Sequence, residues 1–182
     1  MALAITSLPR NPSFAQGLGL ALAGAALITL GAKVQIPFWP VPMTLHTLSV
    51  FLVALTLGPR LGLAAMAAYL GAGAAGLPVF SGTPERGIGL SYMVGPTGGY
   101  LLVAAGLTGW LAMGRGWIGR VLAMLAGLTV VYASGLAWLA LFVPAPKLLA
   151  AGLTPFLLGD VVKVLLVATL LSGLTRLKGR DQ

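Results

Sequence analysis

The sequence predicts an all-α membrane protein, six transmembrane helices in a single domain covering 1–182, and three observations lead there. Only 8% of the residues are charged and 58% are hydrophobic, whereas a soluble globular domain carries about 25% charged residues. The apolar residues gather into six blocks, five of them long enough to cross a bilayer and one borderline. Basic residues, Lys163 excepted, fall between those blocks.

The first block, 14–32, follows Arg10 and is about as long as a span requires. No small-residue cleavage site with soluble sequence behind it follows, so the block reads as a span, not a removed signal. The second, 43–57, is the borderline one. Gly58-Pro59-Arg60 interrupts the apolar run and predicts a turn before the third block, 61–77. The fourth block is 98–113, the fifth 121–143 and the sixth 153–174.

Orientation follows from the basic residues. Arg10, Arg60, Arg115, Arg120, Arg176, Lys178 and Arg180 lie at the termini and in alternate loops, against Lys33, Arg86 and Lys147 in the others. Seven against three places both termini in the cytoplasm. That requires an even number of spans and favours six over five.

The inward loops are short. The opposite segments, 33–42 and 78–96, are longer and rich in proline, glycine and aromatics, including Phe38, Trp39, Phe80 and Tyr92. They suit a binding mouth, or connectors decorated with interfacial aromatics. Small residues recur every fourth position at Gly17, Ala21, Ala25 and Thr29, and again at Ala64, Ala68, Ala72 and Gly76. Such stripes let helix backbones approach closely, within the chain or against another membrane subunit.

Several function classes drop out. A net charge of +8 with no basic face interleaved with aromatics gives no nucleic-acid footprint. The chain has no cysteine, one histidine and three acidic residues, which leaves no metal cluster, thiol chemistry or evident cofactor site. An intramembrane enzyme built on Asp160 would lack a second acid and a nucleophile paired with a base.

Asp160 and Lys163 inside the sixth block carry the most information. Two charges at mid-membrane cost about 5–7 kcal/mol on an insertion scale. The twelve Leu, Val and Phe residues from Phe156 to Leu174 offset a similar amount. A spacing of three puts both side chains on one helical face. They converge on a common ligand, or they form a salt bridge that locks helices together. Gly95-Pro96-Thr97-Gly98-Gly99-Tyr100, which opens the fourth block on the same side, is turn chemistry or a helix terminus able to meet an anion.

Five stretches together resemble the BioY family, the biotin-binding S components of energy-coupling factor (ECF) transporters. They are Val41-Pro42-Met43-Thr44-Leu45, Leu57-Gly58-Pro59-Arg60, Gly76-Leu77-Pro78-Val79-Phe80, Gly95 to Tyr100, and Gly159-Asp160 with Lys163. The resemblance implies an S-component-like bundle in the bacterial cytoplasmic membrane, crossing the lipid bilayer several times. It implies biotin as the ligand and import energised by a transmembrane coupling subunit with two ATPase subunits. The chain itself has no phosphate-binding Gly-x-x-x-x-Gly-Lys motif and is expected not to be an enzyme.

By the same resemblance Asp160 and Lys163 hold the ureido ring, Tyr100, Gly98 and Gly99 belong to the substrate site, and Gly17, Ala21 and Ala25 meet the coupling subunit. Two departures stand out. His46 replaces a glutamine common in the family, and is expected to be a hydrogen-bonded structural residue unless it touches the ligand. Leu101 stands where some relatives carry a basic residue, which leaves Arg86 as the substitute cation for the ligand carboxylate, unless it pairs in solvent with Glu85.

Overall fold

The computed structural model describes residues 12–36, 40–41, 43–101, 105–113 and 115–178, with the side chains of 105–107 and 175–178 excepted. Arg10, Phe38, Trp39 and Arg180 lie outside these residues, as do the side chains of Arg176 and Lys178. Helix α1 (Phe14–Lys33) opens on a capping box in which Ser13 and Gln16 each bond the other's backbone. At its far end the chain turns into a short antiparallel ribbon, β1 (Gln35–Ile36) with β2 (Met43–Thr44), pairing Gln35 with Thr44.

Helix α2 (His46–Ala74) is a hairpin of two arms, 46–57 and 59–74. Gly58 leaves helical geometry at φ 79°, ψ 177°, and Pro59 cannot continue the hydrogen-bond ladder. A straight helix would hold His46 and Tyr69 about 35 Å apart, yet their rings lie 5.3 Å apart. Gly62 lets the arms approach closely, since a Cβ there would sit 3.1 Å from the Ala54 Cα, nearer than most side chains come. The turn expected at Gly58-Pro59-Arg60 is therefore present.

The short helix α3 (Leu90–Met93) and a 3-10 turn (Gly98–Leu101) lead to α4 (Ala105–Ala112). The block 98–113 is thus not one continuous helix. Gly99 is pressed against Trp138 and the Ser134 carbonyl, and that approach imposes the tighter turn. Helix α5 (Trp117–Leu139) is followed by α6 (Ala145–Gly152), which lies between the fifth and sixth apolar blocks, and by α7 (Thr154–Lys178).

Among the described residues four helical stretches are long and apolar enough to cross a membrane: α1, α2, α5 and the α6–α7 stretch to Leu174. Their outward faces carry large apolar side chains such as Leu158, Ile118, Leu30 and Phe14. Exposed apolar surface on this scale would be unstable in water and suits lipid.

Two of the three apolar clusters among the described residues flank the site. Ala25, Ile28 and Ala32 of α1 meet Val53, Ala65, Met66 and Tyr69 of α2, with Phe80 and Tyr92 closing one end. Phe51 of α2 meets Met124 and Leu128 of α5 and Val164, Val167 and Ala168 of α7. The space between these cores, at the end carrying the β ribbon, holds the candidate site.

The first small-residue stripe packs inward. Ala21 and Ala25 are buried and Gly17 is half-buried against Leu61. Gly24 beside them comes so close to Ala65 that a Cβ would lie 2.7 Å away. The second stripe is more open, with Ala64 and Gly76 exposed, because the buried face of that arm is instead Gly62, Ala65, Tyr69 and Gly73.

Candidate substrate-binding site

Asp160 and Lys163 lie one turn apart on α7, six and nine residues into the helix, and both are buried. Lys163 Nζ donates to Asp160 Oδ1 at 2.7 Å and to the Thr44 carbonyl at 2.7 Å. Tyr132 of α5 donates its hydroxyl to Asp160 Oδ2 at 2.5 Å. The carboxylate therefore bridges α7 to α5, and the ammonium ties α7 to the end of β2.

These groups form part of a cavity wall with Val41, Thr44, His46, Phe51, Tyr100 and Phe156. The cavity takes up about 710 Å³ of empty space, including the part open at its mouth. The polar capacity is not exhausted by the contacts above. An ammonium has three N–H donors and a carboxylate about four acceptor positions, and each group has two hydrogen bonds among the described residues. What remains is a donor beside an acceptor, three residues apart on one face.

A second lobe adjoins the first, sharing Val41, Thr44, His46 and Tyr100 with it and adding Tyr69, Ser81, Tyr92, Thr97 and Leu101. Tyr100 stands between the lobes. Its ring lies over Gly135, where any side chain would collide with it, and its hydroxyl donates to the Gly152 carbonyl at 2.9 Å. The His46, Tyr69, Phe80 and Tyr92 rings form a ladder with centroids 5.3, 5.4 and 4.8 Å apart. Ser81 and Tyr92 close it with a 3.0 Å hydrogen bond.

The other expected site residues are placed differently. Gly98 and Gly99 line neither lobe. The Gly98 and Tyr100 amides are used within the turn, bonding the carbonyls of Gly95 and Thr97. The glycines serve close packing, since a Cβ on Gly98 would strike the Met93 carbonyl and one on Gly99 would strike Trp138. Arg86 also lines neither lobe; it is half-buried and donates from Nη1 to the Pro40 carbonyl at 3.1 Å. Lys33 acts in parallel, donating from Nζ to Thr83 Oγ1 at 2.8 Å. The two cations fasten the 81–87 segment to α1 and the turn before β2.

Two residues gain weight from the structure. Tyr132 was silent in the sequence, although a phenol inside an apolar helix must find a partner, and that requirement was the available signal. His46 is not the satisfied structural residue expected, because its Nε2 is buried without a hydrogen-bond partner among the described residues.

The model of the BioY family matches residues 6–180. The chain belongs to the BioY family. The probable biotin transporter BioY of Pyrococcus horikoshii is 39% identical over 149 residues, 82% of this chain and 90% of the relative. The biotin transporter BioY of Thermotoga maritima is 39% identical over 158 residues, 84% of this chain and 92% of the relative. A crystal structure of the S-component for biotin from an ECF-type ABC transporter superposes with a TM-score of 0.76 at 26% identity, covering 94% of this chain and 96% of that one. In this BioY chain the cavity wall joins α7, α5 and the β ribbon, elements that the similarity covers throughout.

Proposed function

We propose that this chain captures biotin from outside the bacterial cytoplasmic membrane and carries it inward as the substrate-binding subunit of an ECF-type transporter. The observation that carries the reading is the buried Asp160–Lys163 pair in the wall of a cavity, with donor and acceptor capacity left over. The ureido ring of biotin presents two N–H donors and one carbonyl acceptor, the complement of a carboxylate beside an ammonium. Asp160 accepts from the ring N–H groups, Lys163 donates to the carbonyl, and Tyr132 holds the carboxylate in orientation. Phe51, Phe156 and Tyr100 supply the apolar wall for the thiophane ring and chain.

The membrane arrangement that fits is six crossings with both termini cytoplasmic. Supporting it are the unequal distribution of basic residues and the return of α2 upon itself at Gly58. Energy is supplied by a transmembrane coupling subunit and two ATPase subunits, since the sequence carries no nucleotide-binding loop.

The test is calorimetric titration of the detergent-purified chain with biotin, followed by uptake measured with and without an energising module in a host that otherwise lacks one. Saturable binding with module-dependent uptake is expected. Saturable binding with undiminished uptake in the absence of the module would make the chain a self-sufficient carrier, and no binding would refute the assignment.

A further inference from the structure

The two lobes of the cavity differ in charge. Asp160 and Lys163 line the first only, while the second is lined by uncharged groups, among them Tyr69, Ser81, Tyr92 and Thr97. His46 lies at their junction, lining both, and its Nε2 is buried with no hydrogen-bond partner among the described residues. A buried polar atom of this kind calls for a partner, and the residue that carries it lines both lobes. Lys163 lines the first lobe with His46; Lys33 holds Thr83 and Arg86 reaches the Pro40 carbonyl, and neither of these two lines a lobe.

A ligand anchored by its ureido end at Asp160 and Lys163 has its acid tail pointing along the cavity toward the second lobe. We infer that this lobe receives the tail and holds it through neutral donors, His46 Nε2 foremost, so that the chain accepts uncharged tail derivatives nearly as well as the free acid. This rests on the biotin reading above and deepens it. With its proton on Nε2, an imidazole donates equally to a carboxylate oxygen or an amide carbonyl. A carboxylate accepts the stronger hydrogen bond but surrenders more hydration on entry, and no cation among the described residues lines the second lobe to return that loss. The two effects oppose each other, and discrimination between acid and amide is small.

The experiment titrates the full chain, purified in detergent, with biotin, with its primary amide, and with an analogue whose tail ends in a methyl group. The amide is expected to bind within about tenfold of biotin, short of the loss that follows when a charge-assisted contact is removed. His46→Leu should weaken biotin and the amide alike by about fivefold, the size of one neutral hydrogen bond, and leave the methyl-ended analogue unaffected. An amide more than about tenfold weaker than biotin would overturn the inference by showing that a cation reads the tail. Equal losses for all three ligands in His46→Leu would also overturn it, by making the histidine a structural element. Should that variant not fold, the three ligands on the unaltered chain still decide the matter. Failure of biotin itself to bind would instead refute the reading beneath, and is distinguishable because the unaltered chain is measured first.

Discussion

Asp160 depends on two partners at once, Lys163 on its own helix and Tyr132 on the next. Removing one member of a buried ion pair leaves the other unpaired, a loss of about 3–5 kcal/mol. Asp160→Asn is therefore expected to weaken biotin binding more than about tenfold, read by titration calorimetry, and to lower the melting temperature in detergent. Tyr132→Phe keeps the ring and deletes only the donor. A hydrogen bond to a charged group is worth about 1.5–3 kcal/mol, so this variant should bind biotin about tenfold more weakly while its melting temperature moves less than that of Asp160→Asn. Unchanged affinity in both variants would place the ligand elsewhere.

At the scale of the element, α2 matters most, because its reversal brings His46 of one arm onto Tyr69 of the other and so builds the second lobe. Gly58 sits at φ 79°, ψ 177°, a region that side-chain-bearing residues avoid. Gly58→Ala has open space for its methyl group, so steric collision contributes nothing and the backbone alone carries the penalty. A loss of about 1–3 kcal/mol is expected, seen as a lower melting temperature with biotin affinity retained once the chain is folded. Gly73 is the contrasting case. Its φ is ordinary, but any side chain would strike Phe80, the middle of the ring ladder. The requirement for glycine there is spatial and would be felt in the lobe itself.

The whole molecule has an apolar exterior and an apolar core, and the few buried charges among the described residues, Asp160 and Lys163, line a cavity at the end carrying the β ribbon. The proposed orientation is open to direct test because the chain contains no cysteine, so a single introduced thiol reports alone. Arg115→Cys, between α4 and α5, and Phe142→Cys, between α5 and α6, flank one long apolar helix at exposed positions. In right-side-out vesicles a membrane-impermeant maleimide should label the second and spare the first. Labelling of both, or of Arg115→Cys alone, would reverse or abolish the proposed topology.

Legible in the order of residues were the helical class, the apolar blocks, the break at Gly58-Pro59 and the shared helical face of Asp160 and Lys163. Each of these depends on composition or on spacing along one helix: hydropathy marks 14–32, and a separation of three residues puts two side chains on one face. Which residues gather around the candidate site was visible only in three dimensions. Tyr132 reaches Asp160 from another helix, the Thr44 carbonyl meets Lys163 across 119 positions of chain, and Arg86 is drawn to Pro40 and away from the cavity lining. Gly98 and Gly99 likewise left turn chemistry and an anion-meeting helix terminus both open in one dimension, and in three they are packing surface. The physical reason is that a contact between elements is set by how helices cross and how closely their small residues allow them to approach, and that geometry has no local signature in the order of residues.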